Sequence, residues 1–342
     1  MRIGQNPARR SIPAYSPQRL GAASLVYIPV LEGYFADMLA VVELHLRSLR
    51  QNTPEVLDVL VFDNGSCAVV QERLLDWHKH GLIDWLMLSK HNMGKTGALN
   101  WIFGALPNEL VVYSDCDVLF RPGWLERSLE ILAAFPQAGM VTAQPDFLPL
   151  VDGTMQAHLA LDPRDYEISQ VLPSQRAVDE YVHGLGEKDK TRERVTGKPI
   201  PVAMQRASGC QAVIGATHMQ FLARRALLQV AFPLPATLGL SPEEDQVLDR
   251  RVDEHGFLHL STLEPYVYHM GNQVDEIAAQ AGRLLTKPLD LSQGIPPFLA
   301  PRTLEWEGWP MGWRMLAYLA RTSFLRGFFT KMYNRLFQIY SQ

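Results

Sequence analysis

An α/β fold built on a mostly parallel central sheet is what this sequence predicts, and three observations carry it. Short apolar runs alternate with segments of helical spacing from residue 24 to about 145. Those runs are apolar along most of their length, as strands covered on both faces are. Each is followed closely by polar or turn-forming residues, and sheets of this kind bind ligands outside the carboxyl ends of their strands.

The elements follow in order. SLVYIPV (24–30) is an apolar run closed by Pro29 and reads as a strand. FADMLAVVELHLRSLRQ (35–51) repeats its apolar residues at helical spacing. VLDVLVF (56–62) is a second strand, ended by the turn tetrapeptide DNGS. VVQERLLDWHKHG (69–81) is a helix with glycine at its end. DWLMLS (84–89), LVVYS (110–114) and GMVTAQ (139–144) give three more strands, separated by helices at 96–106 and 124–135. Residues 146–206 break the alternation with several prolines and the charge-rich run EKDKTRERVTGK (187–198), expected as a solvated, mobile loop or a lid over the site. Regular patterning returns with GCQAVIGA (209–216), FLARRALLQVAF (221–232), EEDQVLDRRVDEHG (243–256) and STLEPYVYHMGN (261–272).

Composition narrows the class. The 342 residues suffice for one large domain with an extension, and 47% hydrophobic with 20% charged residues is ordinary for a globular chain. A formal net charge of −4 gives no global attraction to nucleic acid. Three cysteines, far apart and in no metal-ligand spacing, fit a reducing compartment. No run reaches the roughly 18 apolar residues that span a bilayer, and the basic first residues lack the apolar core of a secretory signal. The expectation is a cytoplasmic protein, or one bound to the cytoplasmic face of a membrane, with residues 1–23 as a flexible arm.

Three strand-end segments are candidates for chemistry. SKHNMGKTGALN (89–100) holds Gly94-Lys95-Thr96 and looks at first like a phosphate-binding loop. A Walker A loop needs glycine five positions earlier, where backbone angles open mainly to glycine are required, and that position is Ser89. The match is rejected. Asp63-Asn64-Gly65-Ser66 reads either as an Asx turn or as a strand-end carboxylate for a base or ribose. Asp115 and Asp117, in SDCD, are either turn aspartates or two carboxylates around one hard divalent cation. Glu244 and Asp245 open an amphipathic segment, as acids favoured by the helix dipole or as a carboxylate placed to take a proton from a hydroxyl. His269 is either a satisfied structural residue or a third metal ligand.

Taken together, IPV, SLRQNT, VFDNGS, NMGKTGALN, YSDCD, RPGWLE, GATHMQFLARRAL, EEDQVLDRR and YHMGN resemble, in order and spacing, family 2 glycosyltransferases of the GT-A (Rossmann-like) fold over residues 24–272. The resemblance implies a donor half at 24–145, a variable acceptor or lid region at 146–206 and an acceptor and catalytic half at 207–272. It implies that Asp63, with Asn64 and Ser66 beside it, binds the donor nucleoside. Lys95, in a pattern with Asn92, Gly94 and Asn100, would lie near the donor diphosphate. Asp115 and Asp117 would hold Mn²⁺ or Mg²⁺ and the diphosphate, His269 would complete the metal site, and Asp245, with Glu244 beside it, would be the general base of an inverting transfer. The donor would be a nucleoside-diphosphate sugar, UDP- or GDP-linked, and the acceptor a sugar, a small molecule or a lipid-linked hydroxyl. The family's processive synthases carry a Q-x-x-R-W motif and transmembrane helices, and neither is found here, which favours transfer of a single sugar. A retaining GT-A enzyme, a sugar nucleotidyltransferase and a non-catalytic binding module are the rival readings.

Residues 273–342 form a C-terminal extension. After Glu307 it has no acidic residue, and Arg314, Arg321, Arg326, Lys331 and Arg335 give it a local charge of +5. Leu325, Phe328, Phe329, Met332, Leu336 and Ile339 recur at helical spacing among these bases. A basic amphipathic helix over 311–342 is expected, docked on the domain, on a second subunit or on an anionic membrane surface.

Overall fold

The computed structural model describes residues 16–147, 157, 160–186, 188–235 and 242–285, the side chains of 188 and 242–246 excepted. The chain divides into two compact units, residues 1–299 and 300–342. The expected helix at 311–342 lies outside the described residues, as does most of the 1–23 arm. Among the described residues no helix is long and apolar enough to cross a membrane.

The strands are β1 (Leu20–Val26), β2 (Leu57–Asp63), β3 (Trp85–Leu88), β4 (Leu110–Asp115), β5 (Val118–Phe120), β6 (Ala138–Thr142), β7 (Tyr166–Val171), β8 (Ile200–Gln205), β9 (Gln211–Ile214), β10 (Gln220–Arg224), β11 (Leu258–Ser261) and β12 (Val267–His269). The helices are α1 (Met38–Gln51), α2 (Ala68–Lys79), α3 (Gly94–Ala105), α4 (Trp124–Ala134), α5 (Gln175–Gly184), α6 (Lys188–Val195), α7 (Arg225–Ala231), α8 (Pro242–Glu254) and α9 (Glu276–Leu284). Ten strands form the central sheet in the order β3-β2-β1-β4-β10-β6-β11-β9-β8-β7, while β12 and β5 make a separate ribbon. Pairing is parallel across β3-β2-β1-β4 and again between β6 and β11. The predicted α/β class, a central sheet flanked by helices, is the observed one.

Strand periodicity explains why both faces are covered. Val59 and Val61 of β2, with Leu110 and Val112 of β4, face a core built with α1, α2, α4 and α9. Their neighbours Leu60, Phe62, Val111 and Tyr113 face the opposite core with α3, α7 and α8. Side chains alternate across a strand, so a strand apolar at every position demands an apolar layer on each side.

Three boundaries differ from the sequence expectation. The first strand begins at Leu20, inside the expected arm, and stops before Tyr27. Its first half is Gly21-Ala22-Ala23, whose small side chains give a weak apolar signal but suit a central strand packed tightly on both faces. Residues 187–198 were expected as a loop, yet Lys188–Val195 is helical. Thr191 and Val195, one turn apart, are buried, and Arg192 pairs with Asp179 of α5 at 2.6 Å, so the other charged residues can lie in water while this face docks. Around α5 and α6, Phe147, Val178, Val182 and Val202 form a third small core with Val213 of β9, so the described part of 146–206 packs around apolar residues. Finally, α9, at the start of the expected 273–342 extension, packs on the sheet domain: Arg47 of α1 donates to the Leu285 carbonyl at 2.8 Å.

Gly21 is required by contact. A Cβ there would lie 2.3 Å from Asn108 Oδ1 and 2.5 Å from its Cγ. Asn108 cannot swing away freely, because its Nδ2 donates to the Gln18 carbonyl at 2.8 Å and to Asp58 Oδ2 at 2.7 Å. Gly21→Ala is expected to lower the unfolding free energy by about 1–3 kcal/mol, an overpacking cost. A urea midpoint equal to that of wild type would show that the contact relaxes freely.

Candidate functional site

The carboxyl ends of β1, β2 and β4 lie side by side, and loops from each meet there. Asp63, at the end of β2, is fully buried. Its oxygens accept from the Ser66 amide at 3.1 and 3.3 Å and from Gln71 Nε2 at 2.8 Å, which is the turn-closing reading of DNGS. Ser66 Oγ accepts from the Ile28 amide at 2.9 Å and ties this turn to the exit of β1. Asn64 holds the next loop: its Oδ1 accepts from the Met93 amide at 2.9 Å, and its Nδ2 donates to Asn92 Oδ1 at 3.0 Å and to the Gly94 carbonyl at 3.2 Å. Gly65 completes the fit with φ of +89° and a backbone so close that a Cβ would lie 2.9 Å from the His91 carbonyl carbon.

This packing delivers Lys95 to the first turn of α3. Its Nζ sits 3.1 and 3.2 Å from the two oxygens of Asp115. Asp115 also accepts from the Tyr113 hydroxyl at 2.6 Å, and its amide donates to the Met219 carbonyl at 2.7 Å. Burial, then the Asp115 charge and hydrogen bond, push the Tyr113 hydroxyl well above its ordinary pKa, so it remains a donor. Cys116 is buried in the core between the two aspartates and its thiol is pushed up by burial and by both carboxylates. The D-x-D spacing thus leaves Asp115 and Asp117 partly exposed with an apolar anchor between them. Asn100 is engaged apart from Lys95 and Asp115. Its Nδ2 donates to the Leu234 carbonyl at 2.9 Å and its Oδ1 accepts from the Leu234 amide at 2.7 Å, so both ends of its amide hold a loop.

His269 reaches Asp117 through a ribbon the sequence reading missed. β5 and β12 pair antiparallel, with His269 opposite Val118, and the Met270 amide donates to the Asp117 carbonyl at 2.8 Å. His269 Nε2 lies 3.1 Å from Asp117 Oδ2. Burial works against the charged ring, but Asp117, Asp115 and a backbone bond to Gly184 raise its pKa above the ordinary value. The other oxygen, Asp117 Oδ1, is buried and accepts no hydrogen bond. Among the described residues, Asp115, Asp117 and His269 do not converge on one point as a ready three-ligand group.

Helix α5 closes over the ribbon. A Cβ on Gly184 would lie 2.9 Å from the His269 carbonyl oxygen, and His183 Nε2 bonds Asp275 Oδ2 at 2.9 Å. Arg121, just after β5, pairs with Glu180 of α5 at 2.6 Å. Beneath the ribbon lies His45 of α1, also missed by the sequence reading. Its Nδ1 donates to the Val118 carbonyl at 2.6 Å, which leaves Nε2 to accept from the Ser24 hydroxyl at 2.7 Å. Burial lowers its pKa and keeps the ring neutral.

Glu244 and Asp245 fall in the first turn of α8, and their side chains lie outside the described residues. One turn later Asp249 accepts from His218 at 2.8 Å and lies 3.5 Å from His259, which in turn lies 3.3 Å from Asp253. None of these four was singled out from sequence. Burial alone would lower the His259 pKa, but hydrogen bonding to Asp253 and the charges of Asp249 and Asp253 raise it overall.

The mixed sheet thus gathers carboxylates and a lysine at the carboxyl ends of its strands. The profile described as glycosyl transferase family 2 matches residues 35–213, just over half of the chain. The chain belongs to that family. No curated protein matches it. Among solved structures it is similar to the mannosyltransferase PcManGT from Pyrobaculum calidifontis in complex with GDP-Man and Mn²⁺, at 14% identity and a TM-score of 0.42, covering 75% of this chain and 59% of that one. It is also similar to S. aureus TarS 1-349, at 11% identity and TM-score 0.44, covering 78% and 65%. Likenesses this distant bear on neither donor nor mechanism.

Two outcomes follow from these contacts. His45→Phe strands the Val118 carbonyl and the Ser24 hydroxyl, and a loss of about 2–6 kcal/mol in urea unfolding is expected from about 1–3 kcal/mol per orphaned group. A loss below 1 kcal/mol would mean that both groups find new partners. For His259, a folded pKa above the unfolded value makes its contribution complete below pH 6.5 and lost as pH rises through the folded value. The Tm difference between wild type and His259→Gln should therefore be widest in mildly acidic buffer and narrow as the pH is raised. A difference that grows with pH would reverse the assignment.

Proposed function

We propose that the chain transfers a single sugar from a nucleoside-diphosphate sugar to an acceptor hydroxyl with inversion, and that the donor diphosphate lies against Lys95, Asp115 and Asp117. The observation that carries this reading is the pairing of Lys95 with Asp115 and of His269 with Asp117, which brings three separate segments together at the end of the sheet. Lys95 supplies positive charge to the diphosphate from the first turn of a helix, where amide dipoles also favour an anion. A divalent cation, Mn²⁺ or Mg²⁺, fits Asp117, whose buried Oδ1 lacks a partner, with His269 and Asp115 beside it. Bound there, it would neutralise the charge that grows on the departing nucleoside diphosphate. The His45 bond to the Val118 carbonyl and the β5–β12 pairing keep Asp117 and His269 in place, so little reorganisation is needed when that charge appears. Asp245, in the first turn of α8, takes the proton from the acceptor hydroxyl, a role worth about 10²–10⁴ in rate.

The test is thermal stabilisation by UDP, GDP, dTDP and CDP, each with and without Mn²⁺, on wild type and Asp117→Ala. One diphosphate is expected to raise Tm in a metal-dependent manner, by mass action on the native state, and the variant should lose the effect. If all four leave wild type unmoved while triphosphates raise its Tm, the donor-site reading fails in favour of nucleotidyl transfer.

A further inference from the structure

The segment between β9 and β10, residues 215–219, touches both sides of the candidate site. At one end the Met219 carbonyl accepts from the Asp115 amide at 2.7 Å, and Gln220 pairs with Ser114 in the sheet. One residue earlier, His218 Nε2 bonds Asp249 Oδ1 at 2.8 Å. Asp249 stands in α8, four residues after Asp245 and hence about 6 Å along the helix axis. A short chain of contacts therefore runs from the strand that carries Asp115, through Met219 and His218, to the helix that carries Asp245.

We infer that His218, anchored by Asp249, is a positioning residue that sets the first turn of α8 against the end of β4. The geometry favours this over plain packing. His218 and Asp249 keep side-chain exposures of 18% and 12%, so the bond forms at the margin of the core. An apolar pair would fill such a place without directional preference, whereas a hydrogen bond ties the helix to this segment at one defined point. Asp249 is also held from behind by His259, which Asp253 holds in turn, so the carboxylate that receives His218 has little freedom. Both burial and these histidines act on Asp249, and its pKa is lowered on balance. As an ionised acceptor it makes the stronger, charge-assisted kind of bond.

The inference deepens the reading of Asp245 as base and rests on it for its kinetic part, while its structural part does not need a donor. The full-length protein is compared as wild type, His218→Ala and His218→Gln. In hydrogen–deuterium exchange, His218→Ala should speed exchange at residues 242–248 by at least about fivefold while β4 stays protected. His218→Gln, which can still donate to Asp249, should restore protection. With the donor whose diphosphate stabilises wild type, His218→Ala should lower kcat about 10- to 100-fold with donor KM unchanged, because misplacing a base affects only the reaction step. His218→Gln should recover kcat to within about threefold of wild type, as a retained hydrogen bond allows. Unaltered exchange at 242–248 in His218→Ala overturns the inference whether or not a donor is found. So does a glutamine variant as impaired as the alanine one, or a rise in donor KM that matches the fall in kcat. Failure of every diphosphate to stabilise wild type, with exchange behaving as expected, would instead count against the donor-site reading.

Discussion

Three residues paired with three hold the candidate site together. Val118–Phe120 and Val267–His269 are 147 or more positions apart in the chain, and their ribbon brings the end of β4 to the late histidine. Without it Asp117 and His269 would belong to different parts of the molecule. A ribbon so short has little stability of its own. It persists because its surroundings fix it: His45 grips the Val118 carbonyl from below, Phe120 and Trp124 pack edge to face at 4.8 Å, and α5 presses from above.

What the sequence disclosed depended on how far apart the cooperating residues were. β2 and β4 could be read directly, because Leu57–Asp63 and Leu110–Asp115 are nearly continuous apolar runs and both faces of the sheet are covered. The position of β1 could not, since Gly21, Ala22 and Ala23 carry little apolar signal while lying in the middle of the sheet. β5 and β12 are three residues each, too short for any period to register. Helix α6 was hidden by its charge, although Thr191 and Val195 at a spacing of four supply the face that docks.

The site was legible in part for the same reason. Asp115 and Asp117 were visible as a local D-x-D, and the order of the motifs gave them meaning. His45 and His218 each act through a partner far along the chain, 73 and 31 residues away, so no local pattern marks them. Asn100 shows a different limit of local reading. It stands in a motif beside Lys95, yet it faces Leu234 and serves a loop. Membership in a motif locates a residue; only the contacts of its side chain assign it work.

Gly184 has a consequence for how this protein can diverge. It lies in α5, within a region of the chain that would be expected to vary freely, and it carries no chemistry. Yet a single methyl group there would press on the backbone of the residue that bonds Asp117. A saturation survey of this gene should therefore show Gly184 intolerant even of alanine, and the cause would be lack of room.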